Sequence, residues 1–409
     1  MNGVTKTGNK QSQSLQGELT SLARPVRVVY VSSYIPRKCG IATFTKDLTN
    51  AINLLNPLAL AEIAAMDNTL TKDSITYPHE VRFRIFDQKK ADYLRVAAAI
   101  NKDPTIDLVC LQHEFGIYGG PEGRLILELL TRLHKPVIVT LHTVSEHPSK
   151  SCREVLIAVC KKARAVVVML TSSAHTLTKH YGVSKGKIAV IHHGVPDFPR
   201  LDIAKWKRQL SFTDRTIAAS INLMSDYKGN EYVIRAIPDI IRVVPNFLYL
   251  IIGETHPMVL VHGHGKDLYR EKLYQLVDDL GVQKHVRFIQ RYITIDELVA
   301  HIGASDFYLT PYNDSQQAAS GSLAYAIGAG KLCISTPYLY AKEMLNDTRG
   351  ILVPFRDPKG IARAVTRMVQ HPKKKVQFEA AAYEIGRTMT WINIGHQYYN
   401  LFHKMLGVH

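Results

Sequence analysis

The runs VRVVYVSS, IDLVCLQ, PVIVTLH and ARAVVVML limit the possible folds more than any other feature of the chain. Each is a nearly continuous apolar, β-branched stretch, so each predicts a strand buried on both faces. Such strands belong to parallel sheets covered by helices, and amphipathic stretches between the runs, such as IATFTKDLTNAINLLN, supply the helices. LAEIAAM, VRFRIF and KIAVIHH add three strand candidates to the same half. After GVPDFPRLD, whose prolines mark a connector, the pattern restarts with TIAASIN, FLYLIIG, HVRFIQ, DFYLTP and KLCISTP. The expectation is an α/β protein with two Rossmann-like, doubly wound parallel sheets in tandem.

Length agrees, because 409 residues exceed what one hydrophobic core usually holds. Residues 1–24 are polar without periodicity and read as a flexible tail. Residues 25–197 form the first expected domain and 204–388 the second. Residues 389–409 read as a long amphipathic helix, with Trp391, Ile394, Tyr398, Leu401 and Met405 at helical spacing, packing back on the first domain.

Hydrophobic residues make up 46% of the chain, yet no stretch approaches the roughly 20 apolar residues that span a bilayer. No charged start followed by an apolar run opens the chain, so a cytoplasmic location is expected. Five scattered cysteines without a C-x-x-C pair read as reduced packing residues. The formal charge of +16 calls for an anionic partner. The basic residues are dispersed and no nucleic-acid module is recognisable, which argues against nucleic acid and leaves a lipid surface or a phosphorylated small molecule. HPKKK near residue 371 is either a contact for an anionic membrane or a solvated helix end.

Parallel sheets bind ligands beyond the carboxyl ends of their strands, so the strand-to-helix junctions are where chemistry is sought. Gly40 lets the backbone turn before a helix whose free amides can face an anion; an ordinary loop glycine is the alternative. His113, Glu114, Gly116, Gly119 and Gly120 follow the strand IDLVCLQ as a binding loop, with a core histidine as the rival reading. His142 ends the next strand, where it either donates to a substrate hydroxyl or phosphate or caps the strand. His192 and His193 are adjacent and point to opposite faces of an extended chain, and neither they nor HGHG at 262–265 has the spacing of a metal site. In the second half, Lys228 and Gly229 open a helix, and Gly253, Glu254, Thr255 and His256 follow a strand. Ser320, Gly321 and Ser322 occupy a helical first turn without any carboxylate. Bare amides, the helix dipole and two hydroxyls suit phosphate, although one serine would suffice for capping alone.

Taken in order, Gly40, the strand-terminal His142, IHHGVPD, YKGNEYVIRAI, LIIGETHP and SGSLAYAIGAGKLCISTPYLYAKEML followed by GILVPFRDPKGIARAV resemble the retaining glycosyltransferases of family 4. That resemblance covers roughly residues 27–405 and implies the GT-B architecture. It also implies a nucleotide-sugar donor in the second domain and a carbohydrate or lipid-linked acceptor in the first. Gly40, Lys228 and Ser320 to Ser322 would then hold the donor diphosphate, and His142 and Gln317 would serve catalysis at the donor sugar. Gly253, Glu254 and Tyr325 would contact donor sugar or nucleotide, and His113, Glu114 and Gly119 the acceptor. No obligatory metal or other cofactor is implied. Two departures stand out. The family's two glutamates, eight residues apart, are Gln317 and Tyr325 here, and its arginine five residues before the lysine is Leu223. The implied activity is transfer of a hexose, with mannose as candidate. A glycoside phosphorylase using a sugar 1-phosphate and a non-catalytic binding relic are the alternatives.

Overall fold

The structure is a computed structural model that describes residues 25–407 apart from 69–74, 201, 257–258, 261–262 and 264; the segment 1–24 and His262 and His264 lie outside the described residues. Seven parallel strands form the first sheet: β1 (Val28–Ser32), β2 (Glu62–Asp67), β3 (Val81–Phe86), β4 (Leu108–His113), β5 (Val137–Leu141), β6 (Ala165–Val168) and β7 (Ile188–Val190). Six form the second: β8 (Thr216–Ile221), β9 (Phe247–Ile252), β10 (Val286–Ile289), β11 (Phe307–Thr310), β12 (Cys333–Ser335) and β13 (Gly350–Leu352). The spatial orders are β3-β2-β1-β4-β5-β6-β7 and β10-β9-β8-β11-β12-β13. In each sheet the order reverses between the first and fourth strands, which opens a crevice at their carboxyl ends.

Burial on both faces explains why the strands read as unbroken apolar runs. Val29 and Val31 enter one core layer of the first sheet and Val28 and Tyr30 the other. In β9, Leu248, Leu250 and Ile252 face one layer while Phe247, Tyr249 and Ile251 face its counterpart. Alternate side chains point to opposite faces, so both halves of the period are apolar.

Five helices position the site: α1 (Gly40–Leu55), α2 (Thr171–Tyr181), α3 (Gly321–Gly328), α4 (Leu339–Arg349) and α5 (Trp391–Leu406). The chain crosses back to the first domain at α5, whose Ile394, Tyr398 and Phe402 are buried in a core layer of the first sheet. These residues recur every four positions and so share one helical face. Tyr398 Oη bonds Thr140 Oγ1 at 2.9 Å within that layer. Gly395 is required here, because a Cβ would stand 2.9 Å from the Cβ of Ala51 on α1. At the crossing, Val195 and Thr390 pair as a parallel bridge, so the outgoing and returning segments run side by side.

Candidate functional site

Lys228 ends a single helical turn after β8. Gly229, which follows, has a φ of +66° and its Cβ position lies 2.1 Å from the Pro311 carbonyl oxygen, so only glycine lets this loop pack on the end of β11. The lysine is thereby buried, with its ammonium 3.9 Å from the centroid of the Tyr312 ring and 4.4 Å from that of Tyr227. Burial pushes its pKa down to about 7, with Asp314 acting in the opposite sense. An ammonium held by two aromatic faces rather than by a carboxylate keeps its hydrogen-bond donors for an incoming anion.

Tyr312 also reaches the amino end of α3, where its hydroxyl bonds Ser322 Oγ at 2.9 Å. Ser320 is the N-cap, its Oγ accepting from Leu323 N at 3.3 Å, and no acidic residue stands in the first turn. Both serine hydroxyls therefore have partners within the protein. What the helix offers an anion is the amides of Gly321 and Ser322 and the positive end of its dipole. A Cβ on Gly321 would come within 3.1 Å of His193 Nε2, so the glycine keeps that ring and the helix start together. His193 Nδ1 is 2.7 Å from the Gly194 carbonyl and so carries the proton, leaving Nε2 as the acceptor.

From the first domain, β5 delivers His142. Its Nε2 lies 3.0 Å from Gln112 Oε1 on the neighbouring β4, which places the proton on Nε2 and the lone pair on Nδ1. Burial, then His193 and His113, push its pKa down to about 3, so the ring is neutral at any ordinary pH. Phe44 of α1 packs edge-on to both His142 and His193, with centroids 4.9 and 5.1 Å away. Glu114 accepts from Thr143 Oγ1 at 2.6 Å and from Phe115 N at 3.0 Å. Burial raises its pKa, against the pull of those two donors, and its charge is felt by Tyr227 of the second domain.

The remaining sequence-selected residues are placed differently. His113 is fully buried between Phe115 and Tyr118, with neither ring nitrogen hydrogen-bonded. Gly119 is needed for packing, since its Cβ position falls 1.8 Å from the Asp87 carbonyl oxygen; at Gly253 the corresponding obstacle is Asn222 O at 1.9 Å. Gly40 opens α1 with nothing within 4 Å of its Cβ position, and no side chain caps that helix. Gln317 donates from Nε2 to the Ala319 carbonyl at 2.9 Å. Glu254 is engaged across the cleft by Lys38, with Nζ 2.8 and 2.9 Å from its two oxygens. Tyr325 donates to Asp47 Oδ2 on α1 at 3.0 Å. Burial pushes the Asp47 carboxyl up to about 6, with Tyr325 and Lys46 opposing.

Lys228, the start of α3, His193 and His142 are thus joined by a chain of direct contacts through Tyr312 and Phe44. Gln112, Tyr312, His193 and Asp47 were not among the sequence-selected site residues. Only His193, in IHHG beside the connector, carried a local signal.

A model of the family described as "Glycosyltransferase Family 4" matches residues 67–197, and one described as "Glycosyl transferases group 1" matches residues 202–385. The chain belongs to the family 4 glycosyltransferases of GT-B fold. Among solved GT-B structures, Anabaena HepE in complex with UDP superposes with a TM-score of 0.74 at 15% identity, over 93% of this chain and 100% of that one. Sucrose-phosphate synthase from Thermosynechococcus elongatus gives 0.74 at 16% identity, over 93% and 99%. A GDP-mannose-dependent alpha-(1-6)-phosphatidylinositol monomannoside mannosyltransferase of Mycolicibacterium smegmatis is 30% identical over 108 residues, 26% of this glycosyltransferase and 25% of that relative. The match therefore spans about a quarter of the curated relative. Among the described residues, no helix of this family 4 member is long and apolar enough to cross a membrane.

Proposed function

We propose that this GT-B protein transfers a hexose from a nucleoside diphosphate sugar to a carbohydrate or glycolipid acceptor, with retention of configuration. The observation that carries the reading is Lys228, a buried ammonium held by two tyrosine faces, one of which, Tyr312, also bonds Ser322 at the carboxylate-free start of α3. In the reaction, the bond between the sugar C1 and the diphosphate oxygen breaks and the acceptor oxygen bonds C1 on the same face. The acceptor proton passes to the departing phosphate oxygen. Negative charge grows on that phosphate, where the ammonium and amides are already aimed, so no metal is required. Neutral His142 accepts from a donor-sugar hydroxyl through Nδ1, and Glu114, steadied by Thr143, receives acceptor hydroxyls. GDP-mannose is the first donor to try, because the mycobacterial relative is named for it; UDP-sugars come next, because HepE binds UDP.

One observation favours a second reading, a glycoside phosphorylase. Tyr325 offers no carboxylate to a ribose, and its hydroxyl is already engaged by Asp47. Thermal shift with a panel of nucleotide sugars, nucleoside diphosphates and inorganic phosphate separates the two, followed by donor-consumption assays with candidate acceptors. Stabilisation by one nucleoside diphosphate, lost in Lys228→Ala, supports the transferase. Stabilisation by inorganic phosphate alone supports the phosphorylase, and silence from every ligand defeats both.

A further inference from the structure

Residues 38, 43 and 47 lie along one edge of α1 and its lead-in, and each reaches a different element of the second domain: two loops and the helix α3. Lys38 Nζ pairs with Glu254 after β9 at 2.8 Å, Thr43 Oγ1 bonds Tyr292 Oη after β10 at 3.2 Å, and Asp47 Oδ2 accepts from Tyr325 Oη at 3.0 Å. The outer two contacts involve exposed groups, which water and salt weaken. The third is set deeper, where a hydrogen bond to a carboxylate is strongest. Phe44 lies on the same helix between Thr43 and Asp47, and its ring meets the rings of His142, His193 and Trp391. α1 therefore touches the second domain with one set of side chains and the site histidine with another.

We propose that Asp47 is a positioning residue: its hydrogen bond from Tyr325 holds the domains closed along α1 and, through Phe44, seats His142 for sugar transfer. The catalytic part rests on the transferase reading; the closure part does not. Tyr325→Phe removes the donor hydroxyl and keeps the ring, Asp47→Ala removes the acceptor, and Asp47→Asn retains an acceptor oxygen. Small-angle scattering of the full unliganded chain is expected to show larger dimensions in Tyr325→Phe and Asp47→Ala, with Asp47→Asn close to the starting protein. In turnover assays the first two are expected to lose about tenfold in kcat while nucleoside diphosphate affinity stays within about twofold, with Asp47→Asn restoring most of the rate. Unchanged scattering in Tyr325→Phe and Asp47→Ala overturns the closure, and an unchanged kcat overturns the positioning. If no donor is ever consumed, the transferase reading falls while scattering still decides the closure.

Discussion

The ammonium of Lys228 stands 3.9 Å from the centroid of the Tyr312 ring, and its folded-state pKa of about 7 lies far below the ordinary lysine value. Without ligand, the unfolded chain holds this proton to higher pH than the folded one, so stability rises with pH between about 7 and 10. A diphosphate reverses the preference, because it favours the charged amine. Nucleotide affinity is expected to fall above about pH 7, and binding at pH 8 to take up a proton. Isothermal titration in two buffers of different ionisation enthalpy measures the uptake, and Lys228→Met should abolish it with at least a tenfold loss of affinity.

Ser320 is the N-cap of α3, so Ser320→Ala leaves the Leu323 amide without its partner. Such a cap is worth about 1 kcal/mol. The expected loss in Tm is about 2–4 °C by calorimetry. Ser322→Ala, which unties Tyr312, should leave Tm nearly unchanged but weaken nucleotide binding, measured by the same titration.

Gln112 fixes the tautomer of His142 from the adjacent strand. Gln112→Leu is expected to lower kcat by about tenfold, because Nδ1 is no longer reserved as the acceptor. His142→Ala should cost about 100-fold, in line with the removal of one well-placed polar group. Initial rates with a donor that binds, together with circular dichroism to confirm folding, check both variants.

Across the cleft from α1, Glu343 of α4 accepts from Thr171 N at 2.7 Å, Ser172 N at 3.0 Å and Ser172 Oγ at 2.7 Å, capping α2 from the other domain. Burial opposes its ionisation, but these donors outweigh it and hold the carboxyl below the ordinary value. Its stabilisation is therefore present above pH 4.5 and is lost as pH falls through the depressed folded value. Glu343→Ala should unfold earlier than the parent at pH 7, with the difference closing as pH falls below 4.5, in thermal melts across a pH series.

The tandem sheets were legible because both faces of most long strands are buried, which leaves unbroken apolar runs; the edge strand β3, with Arg82 and Arg84 exposed, alternates instead. β13, at the edge of the second sheet, was not among the strands read from the sequence, although β7 and β12, which were, are no longer. The junctions after β4, β5, β8 and β11 were legible as places where an apolar run turns polar. Their partners were not. Asp47 lies 278 residues from Tyr325, and nothing in TFTKDLTN distinguishes it from a solvated helix carboxylate. Gly119 and Gly253 read equally well as room for a ligand or for a backbone, and neighbouring carbonyls fill the space at both.

The bridge between Val195 and Thr390 brings the two ends of the second sheet's segment side by side. Adjacent chains in a parallel pairing are only about 5 Å apart. Topologically, the segment between them is a guest inserted into a host made of the first sheet and α5. A few linking residues across that gap would let the host close over without its guest, and the guest be expressed as a closed unit with its ends joined.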